Sequence, residues 1–294
     1  MLPARDMPLE TATIRKICDF VKIKPRTVQD ISLLIKKNWR TAERYVEKIE
    51  QETGCISTTV FREGTRGALK IVYWNFTEDI HSTSFQEELL NQILIGKRKP
   101  DFSPFEIYQY VSDKKKKAYI EDVSNIDPEI EISDENNLIE FLRQASKQIL
   151  MFSGNMSWIN AYQGKIKVID VIRELAKRNV SIKVLGRVSI VGEDNVKKLL
   201  AINKEVGKDI IELRHRYQPL RAIVIDNKVV KFREIREPEY YHHGELKKKI
   251  EIFYEIYDNE WIDWLQKVFW KMFSTSMLAE KRLKEMDNIK NKIF

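Results

Sequence analysis

The sequence predicts a multidomain chain of mixed class, α+β at its amino end and α/β beyond, and three observations carry that prediction. Helical periodicity over the first fifty residues gives way to two strand-like runs joined by a Gly-containing turn. From about residue 135 short apolar runs of strand length alternate with amphipathic helices, the pattern of helices packed on a sheet. At 294 residues there is room for one large or two ordinary domains. The expected division is a small domain at 1–76, a helical linker and dimerisation segment at 77–134, and an α/β domain at 135–294 with terminal helices.

Composition narrows the class. Apolar residues at 43% suffice for packed cores, and charged residues at 32% favour a soluble surface. No apolar run reaches the length of a membrane span, and MLPARDMPLE lacks the basic-then-apolar order of a secretory signal, so a cytoplasmic protein without membrane contact is expected. Cys18 and Cys55 both fall at apolar positions, which reads as buried thiols; with four His they make no zinc spacing, and no metal or cofactor motif is present. The net charge is +7, and residues 1–76 hold 14 Lys and Arg against 9 Asp and Glu, so most of the surplus sits there. The abundance of Lys and Ile with few Gly and Pro fits an archaeal or AT-rich bacterial source.

The small domain is organised around Gln29–Ile49. Before it, Ile14, Ile17, Cys18 and Val21 give a first helix, about Thr11 to Val21, one apolar side. Ile31, Leu34 and Ile35 give a second helix its stripe, and Asn38 is placed to cap a third. On that third helix Ala42, Val46 and Ile49 recur on one face, while Arg40, Arg44 and Lys48 recur on another. Cys55–Tyr73 then reads as a hairpin around Glu63–Gly67, carrying Arg62 and Arg66 with Lys70 on its second strand. Three helices and a basic-tipped hairpin make a winged helix-turn-helix, whose third helix enters the major groove of double-stranded DNA. The residues expected at DNA are Trp39, Arg40, Thr41, Arg44 and Lys48 on the helix and Arg62, Thr65, Arg66 and Lys70 on the wing. Tyr45 reads equally as a core aromatic or a contact. An ordinary solvated helix face is the competing reading of the cations, and Glu43 and Glu47, which would repel phosphate, sustain it.

In the linker, Ser84–Gly96 is a helix with a wide apolar stripe that packs on the domain or pairs with its copy, Ser103–Asp113 is a second helix, and Lys114–Lys117 reads as a solvated run. Beyond it the expected order is helix Leu138–Lys147, strand Gln148–Phe152, helix Ile166–Arg178, strand Ser181–Leu185, helix Asp194–Glu205 and strand Asp209–Leu213. A hairpin follows over Asp226-Asn227, then strand Lys249–Tyr257, an aromatic helix Trp261–Ser274 and a charged tail helix. A mostly parallel sheet plus a hairpin follows from this order. Ser153, Asn155, Arg187 and Arg221 fall near strand ends, where α/β folds take ligands, so a small anionic or polyol effector is the candidate ligand, against a reading as loop and capping residues. His242 and His243 read as surface residues. Trp261, Trp264, Phe269, Trp270 and Phe273 read as core, with any left outside forming a dimer face.

The stretch Glu212–Glu234, ELRHRYQPLRAIVIDNKVVKFRE, within this element order resembles one phospholipase-D-like domain. That superfamily's motif is His-x-Lys-x-x-x-x-Asp, with the His as nucleophile. Aligned on Asp226, it puts Pro219 at the nucleophile and Arg221 at the Lys, and Pro219 has no nucleophilic atom; His215 is four residues too early. A winged helix followed by a catalytically silent phospholipase-D-like domain is similar to the TrmB-like archaeal transcriptional regulators. The resemblance implies a dimeric, sequence-specific DNA-binding regulator that is not an enzyme, with the second domain serving sensing or assembly. Two alternatives stay open: a nucleic-acid-processing phosphodiesterase with a divergent site, and an adaptor whose winged helix binds protein.

Overall fold

The computed structural model describes residues 10–23, 26–62, 68–74, 84–122, 132, 136–240 and 249–293. The chain forms two compact units, Met1–His81 and Ser82–Phe294.

In the first unit, helix α1 (Thr11–Ile23) buries Ile17 and Val21. A two-residue strand β1 (Arg26–Thr27) leads into α2 (Val28–Ile35), started by a capping box: the Thr27 hydroxyl accepts from Asp30 N at 3.0 Å and the Asp30 carboxylate from Thr27 N at 2.9 Å. Lys36 turns the corner in the left-handed region, φ 54°. Helix α3 (Trp39–Thr53) then starts on Asn38, whose side-chain oxygen accepts from Thr41 N at 2.9 Å, and ends on Gly54 at φ 59°. Strands β2 (Ile56–Arg62) and β3 (Ala68–Trp74) pair antiparallel, and β1 adds to the far side of β3. One core joins Ile17, Val21, Ile31, Ala42, Val46, Ile49, Cys55, Ile56 and Val72. Both cysteines serve it, with their sulfurs 3.1 Å apart, and Glu50 fastens α3 to the sheet by accepting from Thr58 N and its hydroxyl.

The second unit begins with α4 (Ser84–Ile95) and a short α5 (Phe105–Tyr108), then strand β4 (Lys116–Asp122). There follow α6 (Leu138–Arg143), β5 (Gln148–Phe152), the small ribbon β6 (Tyr162–Gln163) and β7 (Ile166–Lys167), α7 (Val168–Lys177), β8 (Ser181–Gly186), α8 (Glu193–Val206) and β9 (Ile211–His215). Strands β10 (Ala222–Ile225), β11 (Val229–Arg236) and β12 (Ile250–Ile256) form a meander, followed by α9 (Asn259–Ser274), β13 (Met277–Leu278) and α10 (Ala279–Ile293). The eight-stranded sheet has the order β13-β9-β8-β5-β10-β11-β12-β4.

Two expectations change here. The sheet is mixed and not mostly parallel: only β9, β8 and β5 run parallel, and every other pairing is antiparallel. The stretch expected as a linker also supplies an edge strand, β4, in which Lys116 and Lys117 of the lysine run pair with β12. Those lysines are strand residues because an edge strand has one free side, on which charge is tolerated and even useful.

Strand alternation sorts the layers. Ile149 and Met151, Ile182 and Val184, and Ile211 and Leu213 share one core with α6, α7, α8 and α10. From the opposite face Phe152 meets Phe269 of α9 edge-on, ring centroids 5.1 Å apart. Trp261, Trp264, Phe269, Trp270 and Phe273 are all buried, so these five leave no aromatic face for association. Beneath α9, Lys183, Glu212 and Arg214 form an ion triad, and Arg214 also donates to the carbonyls of Phe273 and Ser274, neutralising the helix's carboxyl end.

Candidate nucleic-acid interface and strand-end cation cluster

Helix α3 sorts its side chains as an interface helix must. Ala42, Val46 and Ile49 are fully buried, Tyr45 packs partly on the same core, and Arg40 and Arg44 are exposed. Trp39 stands 51% exposed at the first turn with the Arg40 guanidinium 5.7 Å from its ring centroid. Thr41 is half-buried with its N–H taken by Asn38, and Lys48 is half-buried beside Glu52 at 3.7 Å.

Lys70, expected at the wing contact, is placed otherwise. Its ammonium lies 2.8 Å from Glu47 and 3.3 Å from Glu43, bridging β3 to the acidic edge of α3. Partial burial pulls its pKa down, but the hydrogen bonds and charges of the two glutamates outweigh that, and the net shift is upward, so Lys70 stays charged. The pairing engages the two carboxylates that sustained the solvated-face reading. Arg62 closes β2, and its side chain lies outside the described residues, as do Thr65, Arg66, His242 and His243.

In the second unit the carboxyl ends of β5 and β8 and the start of β10 meet at one end of the sheet. Ser153 is buried and fully used: N donates to Leu185 O, O accepts from Gln218 Nε2 at 2.8 Å, and Oγ accepts from Trp158 Nε1 at 3.1 Å. Asn155 holds a loop, accepting from Ser157 N and, through its carbonyl, from Asn195. These two residues fit the loop-and-cap reading. Arg187 is exposed, with its N bonded to Gly154 O at 2.7 Å. The Arg221 guanidinium lies across Gly154, where an added Cβ would come within 2.9 Å of it, and it donates to Leu220 O at 2.6 Å. Burial, then Arg187 and Arg233, lower the Arg221 pKa to about 10.

Lys99, Arg233 and Lys249 join Arg221, and sequence reading missed all three. Loss of water around its ammonium, then the charges of Arg221, Arg233 and Lys249, pull Lys99 down to about 8. No local pattern marks Lys99, because it reaches the cluster through a tertiary contact: Gly96 sits so tightly on Pro219 that a Cβ there would come within 2.8 Å of the ring.

Pro219, at the aligned nucleophile position, is buried beneath that contact. His215 accepts from Val188 N through Nδ1 at 2.9 Å, and burial followed by Arg282 lowers its pKa. Asp226 lies at the other end of the sheet, in the β10–β11 turn. Among the described residues no helix is long and apolar enough to cross a membrane.

No protein-family model matches the sequence, and no curated protein does. Among solved structures, the chain is similar to TrmBL2, an archaeal chromatin protein described with a novel mode of DNA binding, at 14% identity over 94% of this chain and 96% of that one, TM-score 0.38. It is also similar to Nuc, a phospholipase D family member from Salmonella typhimurium, at 12% identity over 56% of this chain and 98% of that one, TM-score 0.38. NucT from Helicobacter pylori stands at 13% identity over 56% and 98%, TM-score 0.37. Likeness at this level assigns neither activity nor partner to the chain.

Proposed function

We propose that the first unit is a winged helix-turn-helix and that the chain is a dimeric, sequence-specific DNA-binding transcription regulator, built on the TrmB-like plan. The observation that carries this reading is the charge sorting on α3: Lys70 holds Glu43 and Glu47, while Arg40 and Arg44 stay exposed. A helix entered from a capped corner, packed behind and cationic in front, has what major-groove docking needs. Arg suits a guanine edge or a phosphate, and Trp39 covers the entry to the helix.

The second unit in this reading senses or assembles and does not break bonds. Support comes from the buried Pro219 and from His215, which spends Nδ1 on a backbone N–H. A phosphodiesterase remains the competing reading, and turnover of a phosphodiester substrate by the full chain, with or without divalent metal, would establish it.

The direct test is selection of bound DNA fragments followed by footprinting. A repeated half-site spaced near one helical turn, with steep salt dependence, is the expected result. Equal binding to random duplex, or none, overturns it. A sharper prediction concerns Lys70. Lys70→Ala releases two carboxylates toward the phosphates and is expected to weaken duplex binding by about 3- to 10-fold at low salt. Adding Glu47→Gln should recover much of that loss, and competition binding across salt concentrations reads both effects.

A further inference from the structure

We propose that the cation cluster at the sheet end of the second unit binds a small phosphorylated ligand carrying two negative charges, with Lys99 and Arg221 as its principal partners. The proposal names a ligand class for the sensing role above, and it stands whether or not the first unit binds DNA.

The cluster is built from separate parts of the chain held in fixed positions. Asp101 accepts from Lys97 N and Arg98 N, both at 2.9 Å, which locks the turn carrying Lys99. Gly96 against Pro219 and Arg236 against Ser103 Oγ (3.1 Å) lay that segment over the strands bearing Arg221 and Arg233. Arg233 N donates to Arg221 O at 2.9 Å, so the two guanidinium-bearing residues are neighbours by backbone pairing. Gly154 clears the space that the Arg221 guanidinium occupies.

Charge then selects the ligand. Arg233 is matched by Glu251, and Lys249 by Glu237 at 3.1 Å. Among the described residues no carboxylate is in ion-pair contact with Lys99 or Arg221 (Arg221 donates only to carbonyls). Two positive charges therefore stand close together uncompensated, at a cost that shows in both groups' weakened hold on their protons. A dianion repays that cost in full, whereas a phosphodiester linkage carries half the charge. The same loop holds Gln218, 2% exposed, whose Oε1 has no donor within hydrogen-bonding distance. A hydroxyl or water arriving with the ligand would supply one.

The test titrates the full chain calorimetrically with sodium sulfate and with inorganic phosphate at constant ionic strength. Sulfate remains a dianion across neutral and alkaline pH, so its pH dependence reports the protein. With Lys99 near 8, sulfate affinity should fall about tenfold from pH 7 to pH 9. Lys99→Ala should abolish that pH dependence and weaken binding at pH 7 at least about tenfold. Gly154→Ala, which displaces the Arg221 guanidinium, should weaken binding while leaving the pH dependence in place. Duplex binding measured on the Lys99→Ala chain without added anion should be unchanged, which keeps failure here distinct from failure of the DNA reading. Equal sulfate affinity in wild type and Lys99→Ala overturns the proposal, as does pH-independent binding in the wild type. Tighter capture of a single-stranded oligonucleotide than of phosphate, lost in Lys99→Ala, would reassign the site to phosphodiesters and overturn the ligand class.

Discussion

Asp226→Ala is expected to destabilise the second unit by about 3–5 kcal/mol, the cost of stripping a buried carboxylate from several donors at once. One Asp226 oxygen accepts from Ser146 N at 3.0 Å and Ser146 Oγ at 2.7 Å, and the other accepts from Lys147 N and Gln148 N, both at 2.9 Å. The side chain thus fixes the entry to β5, a central strand, from a turn closed by its own left-handed backbone at φ 49°. Asp226→Asn keeps that backbone preference but sets an NH2 against N–H donors, so it should cost about 2–3 kcal/mol. Burial pushes the Asp226 carboxyl up, yet the donated hydrogen bonds prevail and hold it below its ordinary value. A folded pKa below the unfolded one means the stabilisation is complete at neutral pH and fades as acid is added, from about pH 4 downward. Urea denaturation followed by tryptophan fluorescence at pH 7 and pH 3 should therefore show the two variants converging on wild type in acid. A wild-type midpoint at pH 7 in both variants would mean the carboxylate holds nothing.

Arg44→Ala is expected to weaken specific DNA binding by about 1–3 kcal/mol, roughly 10- to 100-fold, while leaving the unfolding midpoint of the first unit in place. The side chain is exposed, with its guanidinium 5.9 Å from the Tyr45 ring, so removing it empties no core space. If Arg44 reads a base, discrimination between selected and random duplex should narrow. If it meets a phosphate, affinity should fall on both duplexes together and the salt dependence should shallow. Wild-type affinity on both duplexes at every salt concentration would remove α3 from the interface.

Sequence made α3 legible because two local signals coincide there: an apolar stripe at Ala42, Val46 and Ile49, and an Asn at the helix start. Both are interactions within a few residues, and both are present. The strands Gln148–Phe152 and Ser181–Gly186 were legible as short apolar runs, since strands covered on two faces carry little else. Strand β4 was hidden by the opposite property. Its Lys, Tyr, Ile and Glu suit an edge, and local composition of that kind looks like a connector. Lys70 was misplaced because its direction depends on how β3 faces α3, a tertiary relation. Lys99 belongs to the strand-end cluster for the same kind of reason, through the close approach of Gly96 and Pro219.

The position of β4 also fixes an order of assembly. Strands β10, β11 and β12 can zip together as near neighbours in sequence, whereas β4 must find β12 across the whole intervening chain. It leaves the ribosome early and waits, edge open, until the last partner strand has been made. Its lysines and glutamate, with Ile120 turned 59% to solvent, are what a waiting strand carries to remain a poor template for other copies.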